Sequence, residues 1–168
     1  MALKKKPLTP EAACLKMASL CARSEQCEFE IARKLQNIGL TAIQRKEIID
    51  YLKEERYIDN QRYSKSFTSD KARFSGWGPY KIKAALIAKR ISTKHINEAI
   101  SMIPDSVWKE SVMKIAASKA KNMDLDGDEN KENRIKLYRY LLGRGYSSSD
   151  AVKAVNTIRK QQKGQREE

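Results

Sequence analysis

Apolar residues recur at spacings of three and four along almost the whole chain, and no run alternates long enough to read as a half-buried strand. The pattern predicts an all-α protein of about nine helices, near residues 10–22, 25–38, 42–55, 60–74, 79–90, 93–103, 105–122, 132–144 and 148–162. Local punctuation agrees with these limits. Thr9-Pro10-Glu11 supplies an N-cap hydroxyl, a first-turn proline and an acid suited to the helix dipole. Thr41 and Gln44 have capping-box spacing, and Ser24 and Asp59 are candidate N-caps. Gly78-Pro79 and Pro104-Asp105 mark further starts, while Gly39 and Gly145 stand where helices should stop.

Three stretches of this pattern superpose. They are Ile31-Ala-Arg-Lys-Leu35-Gln-Asn-Ile-Gly39-Leu40-Thr41, Ile82-Lys-Ala-Ala-Leu86-Ile-Ala-Lys-Arg90-Ile91-Ser92 and Leu137-Tyr-Arg-Tyr-Leu141-Leu-Gly-Arg-Gly145-Tyr146-Ser147. Each carries two apolar residues four apart, then Gly or Arg, then an apolar residue and a hydroxyl cap. Counting from that hydroxyl, offsets +8 and +11 are again apolar: Ile49 and Leu52, Ile100 and Ile103, Val155 and Ile158. The chain therefore divides into three tandem three-helix repeats, each burying its own stripe and stacking on the next. The expected boundaries are a basic arm over 1–9, repeat one over 10–57, repeat two over 58–103, repeat three over 104–162 with an acidic loop at 124–132, and a tail over 163–168.

Composition narrows the class of function. With 168 residues the chain is long enough for real cores without disulfide or metal staples. No stretch approaches the ~18 apolar residues of a membrane span, and the N-terminal residues lack the apolar core of a signal peptide, so a cytoplasmic protein is expected. Cys14, Cys21 and Cys27 are odd in number and their spacing matches no zinc pattern; Cys14 and Cys21 share a helix face as small hydrophobes. Asp124-Leu-Asp126-Gly-Asp128-Glu129 resembles the start of a calcium loop but has Glu129 where glycine is needed and Ile135 where the closing glutamate is needed. No Ser/His/Asp set, Cys/His set or Walker loop is present, so neither enzyme activity nor a cofactor or metal is expected.

Charge changes the picture more. The formal net charge is +13, and residues 56–94 hold 10 basic against 2 acidic residues, or +8 of it. That concentration in the central repeat points to a surface facing an anionic partner, nucleic acid first. On the helix near 60–74, Arg62, Lys65, Ser69 and Arg73 fall within roughly 80° of arc. Tyr63, Phe67 and Phe74 form a separate stripe expected to pack inward. The turn Gly76-Trp77-Gly78-Pro79 then opens a helix flanked by Lys81 and Lys83, whose N–H groups could meet a phosphate. Trp77 has two readings here, a platform for base stacking (with Tyr80) or an anchor of the turn in the core. Lys89 and Arg90 close the following helix, where cations also suit the dipole.

These motifs, in this order, resemble the RecX family of bacterial regulators of the RecA recombinase. The matching residues are Arg23-Ser24, then Glu30-Ile31-Ala-Arg-Lys34-Leu35 with Gly39, then Tyr57-Ile-Asp59-Asn-Gln-Arg62-Tyr63, then Gly76-Trp77-Gly78-Pro79-Tyr-Lys-Ile82 with Leu86, and Arg144-Gly145-Tyr146-Ser147. The resemblance spans about residues 10–160. It implies an elongated, curved array of three-helix units, monomeric, that binds the RecA–DNA filament and restrains RecA's ATPase, strand-exchange and coprotease activities in recombination, repair and the SOS response. It also implies affinity for single- and double-stranded DNA. The residues expected to face DNA or filament are Arg62, Lys65, Arg73, Trp77, Lys81, Lys83, Lys89 and Arg90. Arg90 stands where the family usually has glycine, so the helix end there is expected to differ from the left-handed caps at Gly39 and Gly145. Asn60 and Ala85 replace commonly acidic positions, which makes the middle repeat more basic. The competing reading is a stand-alone helical module that binds DNA without sequence preference.

Overall fold

The computed structural model describes residues 8–167, so the basic arm, up to residue 7, and the last residue of the tail lie outside the described residues. Among the described residues the chain forms nine α-helices and no strand: α1 (Pro10–Arg23), α2 (Glu28–Gln36), α3 (Ala42–Glu54), α4 (Asn60–Arg73), α5 (Pro79–Ala88), α6 (Thr93–Ser101), α7 (Asp105–Ala120), α8 (Lys131–Gly143) and α9 (Ser148–Glu167). They pack in consecutive threes around separate cores. Ala13, Met17, Ile31, Leu35, Leu40, Ile48, Leu52 and Ile58 form the first. Tyr63, Ala72, Ile82, Leu86, Ile91 and Ile96 form the second, together with Cys27 from the preceding repeat. The third gathers Val112, Ala116, Leu125, Leu137, Leu141, Tyr146, Ala151, Val155 and Ile158 among others. The fold is thus an all-α array of three tandem three-helix units.

The repeat seen in the sequence is a repeat of burial. Ile31, Ile82 and Leu137 are fully buried, as are Leu35, Leu86 and Leu141. The hydroxyls act alike: Thr41, Ser92 and Ser147 each accept from the backbone N–H three residues on, at Gln44, His95 and Asp150. At Thr41 the Gln44 side chain returns the bond and completes a capping box. The +8 position departs from the expectation, since only Val155 is buried there while Ile49 and Ile100 are half-buried.

Four local readings change. Ser24 is not an N-cap: it ends α1, and the chain stays extended through Cys27, which caps α2 without a side-chain bond. Cys27 is held there by complete burial in the second core. Arg90 adopts φ 58°, so α5 ends in the same left-handed turn as at Gly39 (82°) and Gly145 (91°) despite the β-carbon. Phe74 does not pack inward; it caps the end of α4 and is 84% exposed. The tail expected from residue 163 is instead helical, and α9 runs to Glu167. Its Gln, Lys and Arg residues are good helix formers, and Gln162 anchors it by donating to Met123 O and accepting from Leu125 N–H.

The acidic loop is tied down by more than solvent. Leu125 is fully buried, and the Arg134 guanidinium donates to the carbonyls of Leu125 (2.8 Å) and Gly127 (2.6 Å). Among the described residues no group of three or more His, Cys, Asp or Glu side chains is placed to hold a metal ion. None of the described helices is long and apolar enough to cross a membrane.

Candidate nucleic-acid interface

The basic residues of the central repeat fall into two groups, set by the seams that join it to its neighbours. At the seam with repeat one the cations are already used. Arg62 Nε donates to Glu25 at 2.5 Å, and its Nη2 reaches the carbonyl of Arg56 at 3.0 Å. The Glu25 carboxylate holds the Arg62 pKa above its ordinary value. Lys89 pairs with Glu30 at the start of α2, and its ammonium lies 5.8 Å from the Tyr63 ring centroid and 5.9 Å from that of Phe67. Burial pulls the Lys89 pKa down, but the Glu30 carboxylate and the Tyr63 hydroxyl outweigh it and leave it raised. Arg90 lies over Phe29 at 5.1 Å. Asn60 Oδ1 accepts from Glu28 N–H and closes the seam.

At the seam with repeat three, backbones meet directly. Gly78 N–H donates to Arg144 O at 2.8 Å, and Tyr80 N–H donates to Gly145 O at 3.0 Å. The N-terminus of α5 is therefore occupied by repeat-three carbonyls, where an incoming phosphate had been expected. Both glycines are required by this approach. A β-carbon on Gly78 would lie 2.3 Å from Gly145 O, and one on Gly145 would lie 2.4 Å from Lys81 N. Two motifs remote in sequence, Gly-x-Gly-Pro and Arg-Gly-Tyr-Ser, thus form the two halves of one joint. Tyr146 adds to it, with its hydroxyl 2.7 Å from Ser111 Oγ and 3.4 Å from Gly76 O.

Trp77 sits beside this joint, half-buried, edge-on to Phe67 at 6.3 Å. Its ring carries Lys81 Nζ at 4.7 Å and Lys71 Nζ at 5.1 Å. It anchors the turn to the second core while holding two ammonium groups at the surface.

Two clefts flank the joint. One, of about 480 Å³, brings Lys83 together with Tyr80, Trp108 and Lys109, but also with Asp105 and Asp150. The other, of about 280 Å³, is lined by Arg73, Phe74, Ser75, Ser111, Lys114, Tyr140 and Arg144, with Gly76, Ile115 and Ser118 completing its wall and no carboxylate among them. Of the residues singled out from the sequence, the structure brings Arg73 here and Lys83 to the first cleft. Arg62, Lys89 and Arg90 lie at the other seam, and Lys65 on α4 is half-buried. Lys114 and Arg144 were not among the residues expected to face DNA or filament, although Arg144 opens the Arg-Gly-Tyr-Ser motif. Lys114 lies in a stretch, 95–122, with 4 basic and 3 acidic residues, where counting by segment gives no signal.

Comparison with known proteins identifies this architecture. The family model described as RecX, second three-helix domain, matches residues 59–100, which are α4 to α6 with the cap of α4. A regulatory protein RecX from Clostridium botulinum (strain Eklund 17B / Type B) is 32% identical over 133 residues, 79% of this chain. The chain is similar to RecX proteins over most of its length, and its central repeat matches their second three-helix domain. The alignment spans 61% of that clostridial RecX, so the chain accounts for about three fifths of the length of such relatives. A RecX from Acinetobacter baylyi is 28% identical over 140 residues, covering 83% of this chain and 84% of its own. In fold, the crystal structure of RecX from Lactobacillus salivarius superposes with a TM-score of 0.75 at 21% identity, covering 89% of this chain and 96% of that one. A second RecX crystal structure gives 0.76 at 22% identity over 88% of this chain and 73% of its own.

Proposed function

We propose that this chain is a regulator that binds the RecA–DNA filament and restrains RecA's ATPase, strand-exchange and coprotease activities, acting as a monomer in the cytoplasm. The observation that carries the reading is the RecX match over residues 59–100, which hold 9 basic against 3 acidic residues, +6 of the net charge of +13. An array of short helical units with cations on its middle member suits a polymer that offers the same anionic surface at regular intervals. Electrostatic attraction brings the array to the filament, and many modest contacts along the array then add up.

The test is RecA ATP hydrolysis on single-stranded DNA, titrated with this protein. Hydrolysis is expected to fall at protein concentrations too low to coat the free DNA. Unchanged hydrolysis at all concentrations overturns the regulator reading and leaves the stand-alone DNA-binding module. That module alone is expected to bind with a salt slope set by its phosphate contacts, about −3.5 for five contacts to a single strand.

A further inference from the structure

The carboxylate-free cleft at the joint of repeats two and three has the features of a site for a particular kind of anion. Its cations come from three parts of the fold: Arg73 from the end of α4, Lys114 from α7, and Arg144 from the turn after α8. None of the three takes part in an ion pair with a described residue, in contrast to Arg62 and Lys89 at the other seam. Arg144 is placed firmly, its guanidinium 5.6 Å from the Tyr140 ring centroid, and its Nε is buried with no hydrogen-bond acceptor. A buried guanidinium N–H without a partner is costly, so Arg144 is a cation whose hydrogen-bonding capacity its neighbours leave unfilled. Lys119 Nζ lies 5.2 Å from the same Tyr140 ring centroid and brings a fourth cation near the cleft. Ser75, Ser111 and Ser118 bring hydroxyls to the same wall.

The rim carries a second signal. Phe74 is 84% exposed beside Arg73 and lines the same cleft. A flat, exposed ring next to a cationic cleft is the pairing used to hold single-stranded nucleic acid, backbone in the groove and base on the ring. A duplex keeps its bases stacked on one another and has no free base face for the ring. We infer that this cleft binds the phosphodiester backbone of single-stranded nucleic acid, with Arg73, Lys114 and Arg144 on phosphate and Phe74 stacking on an unpaired base. The inference narrows the proposed function, on which its biological context rests, from a charged belt on repeat two to a site shared by repeats two and three.

The experiment is fluorescence anisotropy of the full chain with a labelled oligothymidylate, and with a duplex of equal length, in the absence of RecA. Three variants are compared with wild type: Arg73→Ala with Lys114→Ala, Phe74→Ala, and Lys65→Ala with Lys83→Ala as a control on the belt. All these side chains are partly or fully exposed, and circular dichroism checks that each variant is folded; Arg144 is left intact because it packs on Tyr140. The cleft pair is expected to weaken single-strand binding at least tenfold and to flatten the salt slope by about 1.4, two phosphate contacts' worth. Phe74→Ala is expected to cost about fivefold or more on the single strand and little on the duplex. The belt pair is expected to cost less than the cleft pair. Wild-type binding by the cleft pair, or equal loss on both nucleic acids from Phe74→Ala, overturns the assignment. The RecA ATPase titration separates the two proposals. A chain that restrains RecA but does not need the cleft for oligonucleotide binding removes only the cleft assignment. One that binds oligonucleotide through the cleft and leaves RecA untouched removes only the regulator reading.

Discussion

Lys89 lies with its side chain 22% exposed between Glu30, which it pairs with, and the rings of Tyr63 and Phe67. A lysine so placed supports the joint between repeats one and two more than it offers charge to a ligand. Lys89→Ala would leave Glu30 half-buried and unpaired and take the ammonium away from two rings. The expected outcome is a loss of about 1–3 kcal/mol in urea unfolding, with oligonucleotide affinity less affected than by Arg73→Ala. The pH dependence has a definite sign. The raised Lys89 pKa means its contribution is complete below the ordinary value of 10.5 and fades only as pH rises through the higher folded value. Wild type and variant should therefore differ by a constant amount across neutral pH. Arg90 makes a separate case. Its φ of 58° is a conformation that costs an L-residue roughly 1 kcal/mol or more, while its guanidinium rests on Phe29. Arg90→Gly and Arg90→Ala both lose the Phe29 contact, but only glycine relieves the backbone. The alanine variant is expected to be the less stable of the two by about 1 kcal/mol, measured by urea midpoints.

At the scale of the helix, local chemistry governs, and that is why most helix limits were legible. Asp59 shows the principle: its Oδ1 accepts from Arg62 N–H at 2.9 Å at the head of α4. That backbone bond is the main reason its pKa is lowered from 3.8, against a smaller opposing effect of burial. Asp59→Ala is expected to cost about 1 kcal/mol at pH 7. Because the folded pKa is depressed, the stabilisation is present above pH 3.8 and is lost as pH falls through the lower folded value. The gap between wild type and Asp59→Ala should then close in acid urea titrations. Caps such as Thr9, Thr41, Asp59 and Ser92 can be read because donor and acceptor are three residues apart. Ser24 has the same residue type, yet burial of Cys27 in the next repeat's core holds the intervening chain extended. The faces of α4 failed in the same way. Arg62 shares an arc with Lys65 and Arg73, but Glu25 from the preceding repeat claims it. Phe74 has the period of a core residue, but it lies at the turn where the chain leaves the helix. The cleft was hidden for a related reason: Arg73, Lys114 and Arg144 are separated by tens of residues and are brought together only by the joint.

Across the whole molecule, what unites the array is how repeats meet, and the meeting of repeats two and three is the most demanding. Gly78 has φ −78° and ψ 167°, a conformation open to any residue, so its glycine is not a matter of backbone freedom. The neighbours decide it: an added β-carbon would lie 2.3 Å from Gly145 O, 2.4 Å from Gly145 C and 2.6 Å from Tyr146 N. All three are backbone atoms, and no side-chain rotation can make room. Gly78→Ala must therefore push the two repeats apart while leaving each three-helix core intact. In urea unfolding the expected cost is about 1–3 kcal/mol, the range of an overpacked site. Amide exchange locates the damage more sharply. The N–H groups of residue 78 and Tyr80, which donate across the joint, should lose protection, while those around Leu86 and Leu141 keep theirs. The functional consequence follows from the cleft's construction, since Arg73 belongs to one repeat and Lys114 and Arg144 to the other. Opening the joint moves these cations apart without removing any of them. Gly78→Ala is expected to lower affinity for an oligothymidylate severalfold at unchanged net charge, with a smaller change for duplex DNA. Unaltered exchange at residue 78 and Tyr80, together with wild-type affinity, would show that the repeats tolerate the added methyl group and that the joint does not set the geometry of the cleft.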